Sequence, residues 1–164
     1  MKQSITPFGN EHVRLRLLVE SDLELILSWR NREDARIWFK DSSVISMDQH
    51  KRWFEQYIDK ENDLHFILEV DKKPVGQASV YHIHREKEKA EIGRFLVAPG
   101  DGGKGYIKQA CGELIRFCNN YLKLKYIFLE VMAENHKAIA LYKKCGFMEE
   151  TRYNGLIRMG QYFY

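Results

Sequence analysis

The sequence predicts an α/β fold, and three observations predict it. Apolar spacing switches back and forth along the chain between the two-residue period of a strand and the roughly 3.6-residue period of a helix. In the middle, three strand-like runs follow one another through short polar turns. A glycine-rich stretch, Gly100 to Gly105, then joins the last of these runs to a strongly helical segment.

The elements follow in order. VRLRLL, Val13 to Leu18, alternates as a strand. Ser21 and Glu24 have the spacing of a capping box, which predicts a helix with Leu23, Ile26 and Leu27 on one face. A second box, Ser46 with Gln49, opens a helix whose His50, Trp53, Phe54 and Tyr57 share a face. LHFILEV (Leu64 to Val70), a turn at Asp71-Lys72-Lys73 and VGQASVYHI (Val75 to Ile83) read as an antiparallel pair. Pro74 falls at the start of the second strand, where its missing N–H costs little. The charged turn REKEK, Arg85 to Lys89, leads into AEIGRFLVA, Ala90 to Ala98. Beyond the glycines a helix turns Ile107, Cys111, Leu114, Cys118 and Leu122 inward. KYIFLEV, Lys125 to Val131, reads as a buried strand, and Asn135 caps a helix that Gly146 stops. FMEETRY and LIRMGQYFY flank Asn154-Gly155 as a closing hairpin.

Composition narrows the class. A chain of 164 residues that is 45% hydrophobic fits one domain, 1–164. Its 26 basic and 23 acidic residues are interspersed, and a net charge of +3 does not call for nucleic acid. Apolar runs are shorter than a bilayer span and the N-terminus lacks the apolar core of a signal peptide, so no membrane partner and a cytoplasmic location are expected. Cys111, Cys118 and Cys145 are odd in number with no C-x-x-C pair, which fits free thiols in a reducing compartment. His82 and His84 lie on one strand face without a third ligand at recognisable spacing, so no metal is expected.

The glycine loop can be tested against phosphate-binding designs. A Walker A loop needs G-x-x-x-x-G-K-[ST], but Ala98 stands at its first position and Gly105 follows Gly103-Lys104 where a hydroxyl should be. The dinucleotide fingerprint G-x-G-x-x-G is present as Gly100, Gly102 and Gly105, with Glu130 near the end of the next strand as a ribose ligand. A doubly wound fold needs repeated βα units, however, and this loop follows a meander. A third alternative is a plain glycine turn opening a helix.

Gly102-Gly103-Lys104-Gly105-Tyr106-Ile107 resembles the Q/R-x-x-G-x-G/A pyrophosphate loop of the GNAT superfamily of acetyl-CoA-dependent N-acetyltransferases. It departs from that pattern at Gly102, where Gln or Arg is usual, and at Ile107, where a small residue is usual. Asn135 to Phe147 resembles the family's N-x-x-A-x-x-L-Y-x-x-x-G-F signature, matching at Asn135, Ala138, Leu141, Tyr142, Gly146 and Phe147. Ala90-Glu91-Ile92-Gly93 resembles the start of its fourth strand. The resemblance implies a mixed, mostly antiparallel central sheet of about seven strands, helices on both faces, and a splay between the fourth and fifth strands. It also implies a bulge near Leu96-Val97-Ala98, with acetyl-CoA as co-substrate, no metal, and a monomer or homodimer.

Site residues follow from the same resemblance. Leu96, Val97, Ala98, Gly102, Gly103, Lys104, Gly105, Tyr106, Ile107 and Asn135 would hold acetyl-CoA, since glycine-turn and first-turn N–H groups converge where the helix dipole favours a diphosphate. Glu91 would take the proton of the acceptor amine, or instead pair across the sheet as an ordinary strand glutamate. Tyr142 would protonate the departing thiolate, or simply pack its helix. The acceptor wall would include Trp29, Arg30, Asn31, Trp38, Phe39, His50, Trp53 and His82, with Arg30 pairing a diphosphate. This part resembles acetyltransferases of 4-amino sugars on nucleotides and, more loosely, those of ribosomal-protein N-termini and of spermidine. The expected acceptor is therefore a small-molecule amine, a nucleotide-linked amino sugar, with a peptide N-terminus or a polyamine as alternatives, and a dinucleotide-binding protein or a non-catalytic acyl-CoA sensor as the competing functions.

Overall fold

In the computed structural model, which describes residues 2–164, the chain runs β1 (Phe8–Gly9), β2 (Arg14–Leu17), α1 (Leu23–Arg30), α2 (Glu33–Arg36), α3 (Met47–Tyr57) and β3 (Leu64–Val70). It continues through β4 (Lys73–His84), β5 (Lys89–Val97), α4 (Tyr106–Arg116), β6 (Tyr126–Met132), α5 (His136–Lys144), β7 (Met148–Tyr153) and β8 (Leu156–Tyr162). All strands join one sheet in the order β1-β2-β3-β4-β5-β6-β8-β7. The added strand over the expected count is β1, two residues paired to Leu15 and Arg14. A doubly wound arrangement is absent among the described residues. The pairing is antiparallel throughout except at β5 and β6.

That parallel pair is short. Lys89, Ala90 and Glu91 face Tyr126, Ile127 and Phe128, and beyond them the ladder stops. The strands part there, between the meander and the closing hairpin, as the resemblance implied.

Two apolar layers cover the sheet. Ala110, Cys111 and Leu114 of α4 pack with Leu64, Phe66, Ala90, Ile92, Ile127 and Leu129, and Ile139 and Tyr142 of α5 lie against the same layer. On the opposite face Ile26 and Trp29 of α1 and Tyr57 of α3 cover Ile67, Leu96 and Ala98. Side chains on a regular strand alternate, so Ile92 and Leu96 of β5 should share a layer. They do not, because Arg94 and Phe95 together oppose Ala78, a bulge that inverts the alternation. The bulge thus falls at Arg94-Phe95 instead of Leu96-Val97-Ala98. Arg94 adopts φ +56°, and the Gln77 side-chain amide donates to its freed carbonyl at 3.0 Å.

The helix starts divide. At α3 both halves of the expected box form: Gln49 N–H donates to Ser46 Oγ (3.2 Å) and Ser46 N–H to Gln49 Oε1 (2.8 Å). Such a cap stabilises a helix by about 1 kcal/mol. At α1 the Ser21–Glu24 box does not form. Asp22 takes the Val19 N–H (2.9 Å) instead, and Arg16 of β2 holds its carboxylate with two bonds of 2.8 and 2.9 Å. A buried ion pair to the neighbouring strand outcompetes a solvent-facing hydroxyl.

His65 lies wholly under α3, bonded through Nδ1 to Ser79 Oγ at 2.9 Å. Burial, aided by the Arg94 charge, pushes its imidazole down to about 3. The unfolded chain therefore binds a proton below about pH 6.5 that the folded chain refuses, so stability falls as pH drops from 6.5 toward 3, by up to about 1.4 kcal/mol per pH unit. The His50 imidazole, also lowered by burial, adds to the same slope, and the lowered Asp22 carboxyl acts only below about pH 4. Urea unfolding between pH 7 and 4.5 should show this slope, and His65→Gln should flatten it; equal slopes would mean that His65 protonates within the fold.

Candidate active site at the strand fork

Glu91 is the last residue of β5 to pair with β6, so the fork opens at its side chain. The carboxylate is buried, and Tyr81 donates its hydroxyl to Oε2 at 2.9 Å while His82 Nδ1 lies 3.0 Å from Oε1. Tyr81 is Glu91's direct neighbour across β4 and β5. Its ring lies under the Arg94 guanidinium (4.1 Å), which Asp63 clamps with bonds of 2.8 and 3.2 Å. Burial first, then the charge of Glu91, pushes the Tyr81 phenol up, so it stays a donor. Gly93 makes this possible: a Cβ there would sit 2.9 Å from the Tyr81 hydroxyl.

His82 is 70% exposed and holds φ +50° in a second irregularity of β4, between Tyr81 and His84. That irregularity breaks the expected same-face histidine pair: His82 turns to Glu91, whereas His84 Nδ1 accepts the Lys87 N–H at 3.3 Å. Among the described residues no group of three or more His, Cys, Asp or Glu side chains is arranged to hold a metal.

Farther along the fork, Ala98 N–H donates to Val75 O at 2.7 Å. Successive N–H groups of a strand point to opposite edges, so the Val97 N–H points away from β4, toward the side that β6 has left. Leu96 and Ala98 are buried beneath α1 and α3, and the Val97 side chain faces the glycine loop. In that loop Gly103 and Gly105 take φ +76° and +78°, and a Cβ on either would point into open space. Gly105 precedes the first turn of α4, Tyr106 and Ile107, without a side-chain cap, which leaves first-turn N–H groups for a ligand. An open helix N-terminus with unsatisfied backbone donors fits the diphosphate of a coenzyme A. Lys104 is not a free cation there, because it pairs with the buried Asp101 at 3.1 Å. Gly102 and Gly103 are exposed.

Tyr142 lies on the second bounding helix. Asn135 accepts the Ala138 N–H (3.3 Å) and so fixes the helix start, and Tyr142 packs on Phe95 and Phe147 with ring centres 5.7 and 6.2 Å away. Burial pushes its phenol up and keeps it protonated.

The expected acceptor wall is only partly on the surface. Trp29 is 2% exposed and belongs to the layer beneath α1, because its helix face meets the sheet. Asn31 holds the Ile37–Ser46 loop by accepting the Ile45 N–H and donating to its carbonyl, both at 2.8 Å. Arg30 donates to the carbonyls of Asp41 and Ser43 and stacks on Phe39 at 4.4 Å, which commits it to the loop. His50 is buried and stacks on Trp53, which stacks in turn on Tyr57. Trp38 is exposed. Three residues outside the expected acceptor wall stand on Glu91's side of the sheet at the fork. Phe128 and Glu130 project from β6 away from the α4 and α5 layer, and Arg158 of β8 covers the Phe128 ring at 3.7 Å. Lys40 reaches Glu130 at 2.8 Å.

The model of the Acetyltransferase (GNAT) domain family matches residues 12–148. The chain is 28% identical over 142 residues to a spermidine N(1)-acetyltransferase of Vibrio cholerae, covering 86% of this chain and 82% of that one. It is 31% identical over 152 residues to the putative ribosomal N-acetyltransferase YdaF of Bacillus subtilis, covering 87% and 81%. The crystal structure of spermidine N-acetyltransferase from Vibrio cholerae in complex with CoA and spermine superposes with a TM-score of 0.85 at 27% identity, covering 93% of this chain and 96% of that one.

The loop geometry gives a direct test. Gly105→Val places a β-branched side chain at φ +78° and in the open space before α4, so coenzyme A should no longer raise the melting temperature. Lys104→Ala should keep most of that shift. Equal, small losses in both variants would remove the loop from the binding site.

Proposed function

The chain belongs to the GNAT acetyltransferase family and uses acetyl-CoA; from that premise we propose that its acceptor is the primary amine of a small polycation of the spermidine type. The observation that carries this reading is the charge of the acceptor face. Glu91 and Glu130 lie on one side of adjacent strands at the fork, both largely buried. A nucleotide-linked sugar would need free cations for its diphosphate, whereas Arg30 serves the loop and Arg158 sits on Phe128 beside Glu150. The net charge of +3 therefore misleads about the site. The spermidine acetyltransferase of Vibrio cholerae supports the same direction.

The chemistry asks little of the chain beyond positioned groups. Acetyl-CoA supplies the acetyl group as a thioester. An alkylammonium with an ordinary pKa near 10.4 is protonated at neutral pH and cannot attack. Glu91 accepts its proton: each carboxylate oxygen keeps a lone pair beyond those used by Tyr81 and His82, and exposed His82 offers the proton a way to solvent. The freed nitrogen attacks the carbonyl carbon while the Val97 N–H donates to the carbonyl oxygen. As the carbon–sulfur bond breaks, the Tyr142 hydroxyl gives its proton to the sulfur.

Thiol release should be followed with spermidine, a short peptide with a free N-terminus and a nucleotide-linked 4-amino sugar. Spermidine should be the best acceptor; preference for the anionic sugar would overturn the acceptor assignment and leave the acetyltransferase intact. With the working acceptor, Tyr142→Phe should lower kcat about 10²-fold while the coenzyme A-induced melting shift survives. The loss should shrink with an acyl donor whose leaving thiol is more acidic. Unchanged turnover would return Tyr142 to packing alone. Glu91→Gln should lose most rate near neutral pH and regain part of it as the amine deprotonates at high pH; a profile parallel to the wild type would make Glu91 structural.

A further inference from the structure

Lys40 and Glu130 form a contact that neither sheet pairing nor catalysis explains. Glu130 is 10% exposed at its side chain; Oε1 accepts from the Lys40 ammonium at 2.8 Å, and Oε2 is buried with no partner. Its cross-strand neighbour Arg158 turns elsewhere, to the Phe128 ring and to Glu150 at 3.6 Å. Among the described residues Lys40 is thus the one cation hydrogen-bonded to this carboxylate, and its other oxygen is left unsatisfied. Lys40 comes from the Ile37–Ser46 loop, which Arg30, Asn31 and Arg36 tie through their side chains to the carbonyls of Asp41, Ser42, Ser43 and Ile45. The loop is thus held in place with one primary ammonium delivered to the acceptor face.

We propose that Glu130 binds the second ammonium of a polyamine acceptor and that Lys40 occupies this position until the acceptor displaces it. The Lys40 terminus is chemically the same group as the end of an alkyl polyamine, so the site displays its own ligand. Glu130 lies two residues beyond Phe128, the partner of Glu91, on the same face. Strand geometry then separates the two carboxylate-bearing Cα atoms by about 8 Å or somewhat more as the strands part. Ammonium nitrogens three or four methylenes apart lie about 5–6 Å from each other when extended. Two carboxylates whose side chains lean toward the groove between them bracket that span. One nitrogen then meets Glu91 and loses its proton, while the other keeps its charge at Glu130. This inference rests on the polyamine reading above and adds how the length and charge of the acceptor are recognised.

The test compares spermidine with butylamine, a monoamine with the same reacting group. Glu130→Gln should lower kcat/KM for spermidine about tenfold more than for butylamine, because only spermidine loses a charge-assisted bond. Lys40→Met keeps the aliphatic stem and removes the competing ammonium, so it should lower the KM for spermidine several-fold. In the double variant that gain should vanish, since the site it opens is gone. Equal losses of both acceptors in Glu130→Gln, or an undiminished Lys40→Met gain in the double variant, would overturn the assignment while spermidine turnover by the wild type keeps the polyamine reading. A wild type that turns over neither amine would remove both.

Discussion

The premature end of the β5–β6 ladder is the constraint on which the rest of the molecule depends. Backbone N–H and C=O groups inside a fold must be paired, and a sheet normally does this by continuing its ladder. Here pairing stops after Glu91 and Phe128, so the donors of β5 that face β6 beyond this point, Val97 N–H among them, are left for something other than the protein. The fork also fixes where each catalytic candidate can be. Glu91 stands at its apex, Tyr142 on the helix that follows β6, and the open start of α4 on the loop that follows β5. On the proposed reading, a ligand that bridges the fork would meet all three.

The bulge at Arg94-Phe95 lets one strand serve both layers of such a site. Before it, Ala90 and Ile92 face α4 and α5 while Glu91 faces the acceptor side. After it, Phe95 reaches Tyr142, and Leu96 and Ala98 turn beneath α1 and α3. Without the extra residue Phe95 would point away from Tyr142. The positive φ of Arg94 is held by several contacts at once: the ion pair to Asp63, the stack on Tyr81 and the Gln77 amide on its carbonyl. Strain of this kind persists only when the surroundings over-determine it. Here the same contacts orient Tyr81 toward Glu91.

Local signals were legible in the sequence, and contacts between distant segments were not. The Ser46–Gln49 box, the Asn135 cap and the turn at Asn154-Gly155 each depend on a few neighbouring residues, and each appears where its spacing puts it. The Ser21–Glu24 box has equally good spacing but loses to Arg16, whose guanidinium comes from the preceding strand. Register decides the remainder. That Tyr81 would face Glu91, or that Arg94 would open a bulge, requires knowing which residue of β4 opposes which of β5, and both runs are too apolar for spacing alone to say. Trp29, Asn31 and Arg30 read as an acceptor wall because aromatic and charged residues cluster there. Their partners, the sheet beneath α1 and the carbonyls of the next loop, lie beyond the reach of any local pattern.

Charge at the acceptor face illustrates the same separation of scales. A net charge of +3 spread over 164 residues is felt weakly, because fields from exposed groups decay over about 8 Å at physiological ionic strength. Glu130 is nearly out of water, and its ionised form there requires a counter-charge, since an unpaired buried ion costs several kcal/mol. Lys40 meets that requirement in the free protein. In the proposed exchange one primary ammonium replaces another, so the carboxylate stays paired throughout and the acceptor gains there by the amount its bond exceeds that of the 60% exposed Lys40. On the polyamine reading, the acceptor would be preferred through the rest of its length as well, by methylenes laid along the strand face and by the reacting nitrogen delivered to Glu91. On that reading a short monoamine would displace Lys40 or reach Glu91, but not both. An exchange of this kind converts a general affinity for cations into a preference for cations of one length.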